Sequence, residues 1–202
     1  MIKIDRPACP HPASLQNKTS YKHAENKAAL IASTHGKCMY CEAHITHTQF
    51  GDVEHIKPKA VFTDQEFEWS NLGFCCSVCN NSKGDSYEPT GPMIDPYAED
   101  PSQYIFAYGP HLLPLNNGAR ARVTIETVKL NRPQLLEKRT ERIGQLEKLI
   151  GRIAEQPNET LRRAAIDIVF EETSSKSEYS FTGRTAALSL LEQIAGVGVE
   201  KK

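Results

Sequence analysis

The chain has 202 residues and a formal net charge of −1 at pH 7, which fits one ordinary domain with an extension and gives no overall signal for a polyanionic partner. Its start, Met1-Ile-Lys-Ile-Asp5, lacks a long apolar run, so neither a secretory signal nor a membrane-spanning helix is expected. Six cysteines in such a chain point to reduced thiols and metal ligation in a cytoplasmic setting, since disulfides need an oxidising compartment.

In chain order, residues 1–20 hold Pro7, Pro10 and Pro12 and few apolar groups, which predicts an extended arm. Tyr21 to Thr34 is Ala-rich and predicts a helix closed by Gly36. Gly51 to Ile56 alternates as a short strand and stops before Pro58. A second strand is expected near Phe67–Trp69, and a short helix from Cys76 carries Asn80 and Lys83 on successive turns. Prolines 89, 92, 96 and 101 mark a connection. Tyr104–Tyr108 and Ala121–Ile125 read as strands of a small β region, with Asn116-Asn-Gly118 as turn chemistry.

From Asn131 the pattern becomes helical, with Pro133 in a first turn and Leu136, Ile143, Leu146, Ile150 and Ile153 at helical spacing. Pro157 ends that helix, Asn158 caps a second through about Glu172, and a third starts near Thr182 and ends near Gly196. These helices form either a local bundle or a docking surface, the latter taking Ile143 and Ile150 as outward-facing. Residues 119–163 carry eleven Lys/Arg against six Glu, a net of +5. That is either the usual solvated face of long helices or a phosphate-backbone footprint. The expected organisation is an arm and helix (1–36), a cysteine-clamped core (37–90), a connection with a small β region (91–130) and a helical region (131–202).

Cys38/Cys41 and Cys76/Cys79 are two Cys-x-x-Cys pairs, the spacing of a tetrahedral four-thiolate Zn²⁺ site. Four thiolates leave no open position, so this zinc is expected to be structural and to clamp the ends of the intervening segment. Cys75 reads as a buried thiol, with ligation by register slippage as the alternative. Cys9 reads as a bystander. His44 and His47 read as loop histidines, or as contacts to a substrate.

Between the pairs lies Asp52-Val-Glu-His-Ile-Lys-Pro-Lys59, followed by Asn71 and then Asn80. Phosphodiester hydrolysis needs an activated water and neutralisation of developing negative charge. An imidazole suits the base near neutral pH, which makes His55 the candidate. Glu54 and Asn80 are oxygen donors suited to Mg²⁺ or Mn²⁺. Asn71 orients the imidazole or pins the hairpin. Lys57, Lys59 and Lys83 are candidates to meet phosphates. In an ideal strand Glu54 and His55 point to opposite faces, so serving one site requires a twisted or interrupted strand.

These strings, with Lys37-Cys-Met-Tyr-Cys-Glu42, Trp69-Ser-Asn-Leu72 and Cys76-Ser-Val-Cys-Asn-Asn-Ser-Lys83, resemble the zinc-containing HNH endonucleases. With Ile94-Asp-Pro-Tyr97 and Leu130-Asn-Arg132, the arrangement over roughly residues 5–150 is similar to the HNH subunits of Septu and retron-associated antiphage systems, the PtuB-like proteins. The resemblance implies an α+β fold with a ββα-metal core. It makes His55 the general base, Glu54 and Asn80 the ligands of a catalytic Mg²⁺ or Mn²⁺, and Asn71 the middle asparagine. The commoner family carboxylate is Asp, so Glu54 departs by one methylene, with Asp52 as a substitute or supporting partner.

The resemblance also implies an ABC-type ATPase partner, a nucleic-acid substrate (DNA favoured, RNA possible) and, in the retron case, a reverse transcriptase with its msDNA. The chain has no G-x-x-x-x-G-K-[ST] phosphate loop of its own. Two alternatives stand beside this reading. One is an inactive zinc-stabilised module that recruits a partner, and the other is a stand-alone restriction-type nuclease.

Overall fold

The computed structural model describes residues 1–46 and 50–193. His47 and the expected helix end near Gly196 lie outside them. The described residues divide into two compact units, one of residues 1–106 and 113–130, the other of 107–112 and 131 onward.

The first unit begins with an arm that is less extended than its prolines suggest. Helix α1 (Pro12–Gln16) starts on Pro12, and the His11 side chain caps it by accepting from Ser14 N at 3.2 Å. Helix α2 (Ala24–Ser33) follows. Met1, Ile4 and Leu15 are buried. Arg6 Nη1 donates to the carbonyls of Trp69 and Leu72, both at 2.8 Å, and Trp69 Nε1 donates to Pro7 O at 2.8 Å. The arm is thus tied to the segment that enters the second strand.

Strand β1 (Asp52–His55) pairs antiparallel with β2 (Leu72–Cys75), in the register Asp52↔Cys75, Val53↔Phe74, Glu54↔Gly73 and His55↔Leu72. Helix α3 (Ser77–Lys83) follows directly. The second strand lies later than expected. Residues Trp69–Asn71 form a 3₁₀ turn, and the strand begins at Leu72. The reason is burial: all four β2 positions are buried, so the strand reads as a continuous apolar run with no alternation.

Gly73 is required opposite Glu54, because a Cβ there would lie 2.3 Å from Met39 Sδ. Gly51, just before β1, has φ +60°, and a Cβ there would sit 2.3 Å from the Phe74 ring.

Strands β3 (Ile105–Tyr108) and β4 (His111–Pro114) form a second two-stranded ribbon. Its loop is Gly109-Pro110, with Gly109 at φ +55°, whereas Asn116-Asn-Gly118 closes a separate 3₁₀ turn. The expected strand 121–125 is corrected to helix α4 (Ala119–Thr127). Ala121, Thr124, Ile125 and Val128 are all buried, which is helical spacing that outweighs their β-branched character. Thr124 Oγ1 donates to Arg120 O at 2.8 Å and accepts from Ile94 N at 2.9 Å.

The second unit holds α5 (Pro133–Ala154), α6 (Glu159–Glu172) and α7 (Ser180–Gln193). Asn158 caps α6 as expected, accepting from Leu161 N at 3.1 Å. The three helices make a local bundle around Leu146, Ile150, Ile153, Val169, Ala187 and Leu191. Ile150 is therefore core and not outward-facing, while Ile143 is half-buried. None of the described helices is long and apolar enough to cross a membrane.

Candidate active site

Two turns bring the four cysteines together. Glu42 takes φ +64° so that its N–H reaches Cys38 O at 3.0 Å and the chain reverses after Cys41, with Cys38 N returning to Ala43 O at 2.9 Å. Cys76 caps α3, its sulfur accepting from Cys79 N at 3.4 Å. The ligating sulfurs of Cys38, Cys41, Cys76 and Cys79 lie within 4.8 Å of one another, all buried, and the Cys41–Cys76 separation is 3.9 Å. Metal–sulfur bonds of about 2.3 Å arranged tetrahedrally give sulfur–sulfur edges of about 3.8 Å. The donor set fits zinc. Cys75 is not part of the cluster; it ends β2, and burial pushes its thiol well above the ordinary range. Cys9 lies apart with its thiol on Asn26 Oδ1 at 3.4 Å, and His44 is half-buried in a bridge with Lys37.

Strand β1 and helix α3 form one side of a cavity of about 330 Å³, lined among others by Glu54, His55, Lys59, Asn80 and Lys83. The tension between adjacent strand residues is resolved by where β1 stops. His55 is the last strand residue, the chain bends at Ile56, and Glu54 and His55 both line the cavity.

His55 Nε2 lies 3.0 Å from Glu66 O. A carbonyl only accepts, so Nε2 carries the proton in the neutral ring and Nδ1 keeps a free lone pair. Burial holds its pKa below the usual imidazole value. Glu54 is buried, and its Oε1 accepts from Lys83 Nζ at 2.7 Å and from the Tyr40 hydroxyl at 3.5 Å. Burial raises the Glu54 pKa while the Lys83 ammonium opposes that rise.

The other sequence candidates fall in different places. Lys83 lines the cavity but is itself buried, and its ammonium also donates to His55 O at 2.8 Å. Its charge is turned inward, toward Glu54. Asn80 Nδ2 donates to Asp52 Oδ2 at 3.1 Å, which links α3 to β1. Asn71 stays outside the cavity lining. Its amide accepts from Lys57 N at 2.7 Å and donates to the carbonyls of Lys57 and Gln65 at 3.0 and 3.1 Å, so it pins the loop after His55. Lys57 leans over the Phe62 ring at 5.6 Å. Lys59 pairs with Glu66 Oε1 at 3.3 Å. Sequence reasoning missed Tyr21, Lys22, Asn81 and Asp85 in the cavity wall; Tyr21, Lys22 and Asp85 lie outside the recognisable motifs, and Asn81 lies inside one beside the more obvious Asn80.

The family model of the HNH endonucleases matches residues 38–86, which span the four clustered cysteines, the hairpin, α3 and every cavity-lining residue except Tyr21 and Lys22. Residues 38–86 are an HNH endonuclease domain. The chain is similar to the Septu protein PtuB of Bacillus thuringiensis, with 29% identity over 106 residues, 52% of this chain and 40% of that protein. It is also similar to the Septu protein PtuB of Bacillus mycoides (strain KBAB4), with 24% identity over 151 residues, 59% of this chain and 51% of that one. The chain spans about half the length of these curated relatives or less.

Proposed function

We propose that the chain is a metal-dependent endonuclease that hydrolyses phosphodiester bonds, working as the nuclease subunit of a Septu-type antiphage defence system. The observation that carries the reading is the contact of His55 Nε2 with Glu66 O on a residue that lines the cavity: a carbonyl takes the Nε2–H, which leaves Nδ1 with the lone pair of a base. An adjacent carboxylate and an amide oxygen share that cavity, and the HNH domain match covers all three residues.

In this reading Glu54 and Asn80 would hold Mg²⁺ or Mn²⁺, hard cations that take oxygen donors, and a cation bound there would supply neutralisation of charge on the phosphate and the leaving oxygen. His55 Nδ1 takes a proton from the attacking water. Lys83 holds the Glu54 carboxylate in the cavity, Asn71 fixes the loop that carries His55, and Lys59 at the cavity edge is the cation placed to meet substrate phosphate. The Cys38, Cys41, Cys76 and Cys79 cluster holds structural zinc and sets the distance between the hairpin and α3.

The Septu assignment rests on the two PtuB relatives; it is preferred to the retron context because both are Septu proteins. An ATPase partner docks on the helical unit in this reading, where Leu161 and Ile168 are more than half exposed on α6. A nucleic-acid substrate and a cytoplasmic location complete the proposal.

The test is cleavage of plasmid DNA and of labelled RNA by the purified chain with Mn²⁺. The reading expects cleavage of one of them by the wild-type chain and none by His55→Ala. A well-folded, zinc-loaded wild-type chain that cuts neither favours the inactive binding module.

A further inference from the structure

Tyr21 lies far upstream of the HNH domain, just before α2, and the fold brings it to the wall of the same cavity. Its ring meets the His55 imidazole edge-on, with centroids 4.6 Å apart and planes at 65°. On another side it meets Phe67, at 6.2 Å. Its hydroxyl accepts from Lys59 Nζ at 3.3 Å. The same ammonium pairs with Glu66 Oε1 at 3.3 Å, and the Glu66 carbonyl is the acceptor for His55 Nε2.

These contacts close a ring: His55 to Glu66 backbone, Glu66 carboxylate to Lys59, Lys59 to the Tyr21 hydroxyl, and the Tyr21 ring back to His55. The Glu66 carbonyl fixes one edge of the imidazole. A single hydrogen bond leaves the ring free to rock about that contact, and the Tyr21 edge restricts the motion. The cations at Lys22 and Lys59 lie 5.5 and 4.8 Å from the centre of the Tyr21 ring, close enough for cation–π attraction.

We propose that Tyr21 is a positioning residue for the nuclease site. Its ring locks the orientation of the His55 base, and its hydroxyl holds Lys59 at the cavity edge, where a substrate phosphate arrives. This rests on the nuclease reading, and it assigns a working part to a segment outside the HNH domain. The two functions separate chemically. Tyr21→Phe keeps the ring and releases Lys59, whereas Tyr21→Leu loses both.

The decisive experiment is long-range ¹H–¹⁵N correlation of the imidazole nitrogens in the full chain, with the His55 signal identified by its loss in His55→Gln. The wild type and Tyr21→Phe are expected to show His55 as a single Nε2–H tautomer. Tyr21→Leu is expected to keep that tautomer, which the Glu66 carbonyl sets, but to broaden the His55 ring signals through motion of the imidazole, at unchanged zinc content. An unchanged His55 linewidth in Tyr21→Leu would overturn the positioning role. A wild-type His55 protonated on Nδ1 would instead overturn the base assignment itself, so the two failures are distinguishable.

Cleavage with Mn²⁺ gives the second readout. Tyr21→Leu should lose about 10-fold to 100-fold in kcat, the scale of a misplaced catalytic group. Tyr21→Phe should keep kcat within about twofold and raise KM, because only the phosphate-facing lysine is released. Equal losses of kcat in both variants would contradict the division of labour between ring and hydroxyl.

Discussion

At the scale of single residues, His55 works by arrangement more than by identity. A backbone carbonyl fixes its tautomer, the Asn71 amide fixes the loop behind it, and its own ring is buried against Tyr21. His55→Ala should therefore lower cleavage by the ~10²–10⁴-fold typical of a general base and lower the thermal midpoint only modestly, through loss of that packing and of the bond to Glu66 O. Asn71→Ala should weigh more on stability than on chemistry. It removes three hydrogen bonds to the Lys57 and Gln65 backbone, each worth about 0.5–1.5 kcal/mol. A fall in urea midpoint together with a partial fall in rate is the expected result; a rate loss with no stability loss would argue for direct contact with the reacting atoms.

That Glu54, His55, Lys59, Asn80 and Lys83 belong together was legible in the sequence, because the chemistry of phosphodiester hydrolysis singles out such residue types, and they do share one cavity. Their partners were not legible. Spacing placed Lys83 one turn after Asn80, but only the packing turns its ammonium inward onto Glu54. Tyr21 carried no local signal at all, because its role depends on where α2 and the hairpin meet.

At the scale of elements, the strand–strand–helix order around the cysteines was legible from β1 and α3, whose ends are marked by Pro58 and by the Cys76 cap. The second strand lies later than its expected place because β2 is buried at all four positions and so shows no alternation to read. Gly73→Ala puts a methyl group into the space of Met39, and overpacking of this kind costs typically about 1–3 kcal/mol. The variant should unfold at lower denaturant while keeping its zinc, which denaturation and elemental analysis would check. Helix α4 was read as a strand from Val123, Thr124 and Ile125, although the buried set 121, 124, 125 and 128 has the helical period. Local propensity gave way to a face that tertiary contacts select.

The cysteine turns make a further prediction for the hairpin. Cys41→Ser removes one of four ligands, and structural zinc in small modules is worth on the order of 10 kcal/mol of folding free energy. That variant should bind substoichiometric zinc and melt the hairpin and α3 together. Zinc-free wild-type protein with a normal melting curve would refute the assignment.

At the scale of the whole molecule, two units have separate cores, one organised around the cysteine cluster and the hairpin, the other around the apolar stripe of α5. The stripe itself was legible from its periodicity. Whether it faced a partner or the chain's own helices was not, because an amphipathic face must bury against something but does not name it. The bundle core answers that question for Ile150, which is fully buried. Ile150→Asp places a carboxylate in that core and should melt the helical unit by circular dichroism, while zinc content and the cysteine cluster persist. Loss of zinc in the same variant would contradict the independence of the two cores.

The proposed role of His55 as the base beside Glu54 and Asn80 stands on one comparison. Mn²⁺-dependent nucleic-acid cleavage would be measured for wild type and His55→Ala, both shown to hold zinc and to be folded at the assay temperature. Metal-dependent cleavage by the wild type and its loss in the variant are expected; undiminished cleavage by a zinc-loaded His55→Ala would rule the assignment out.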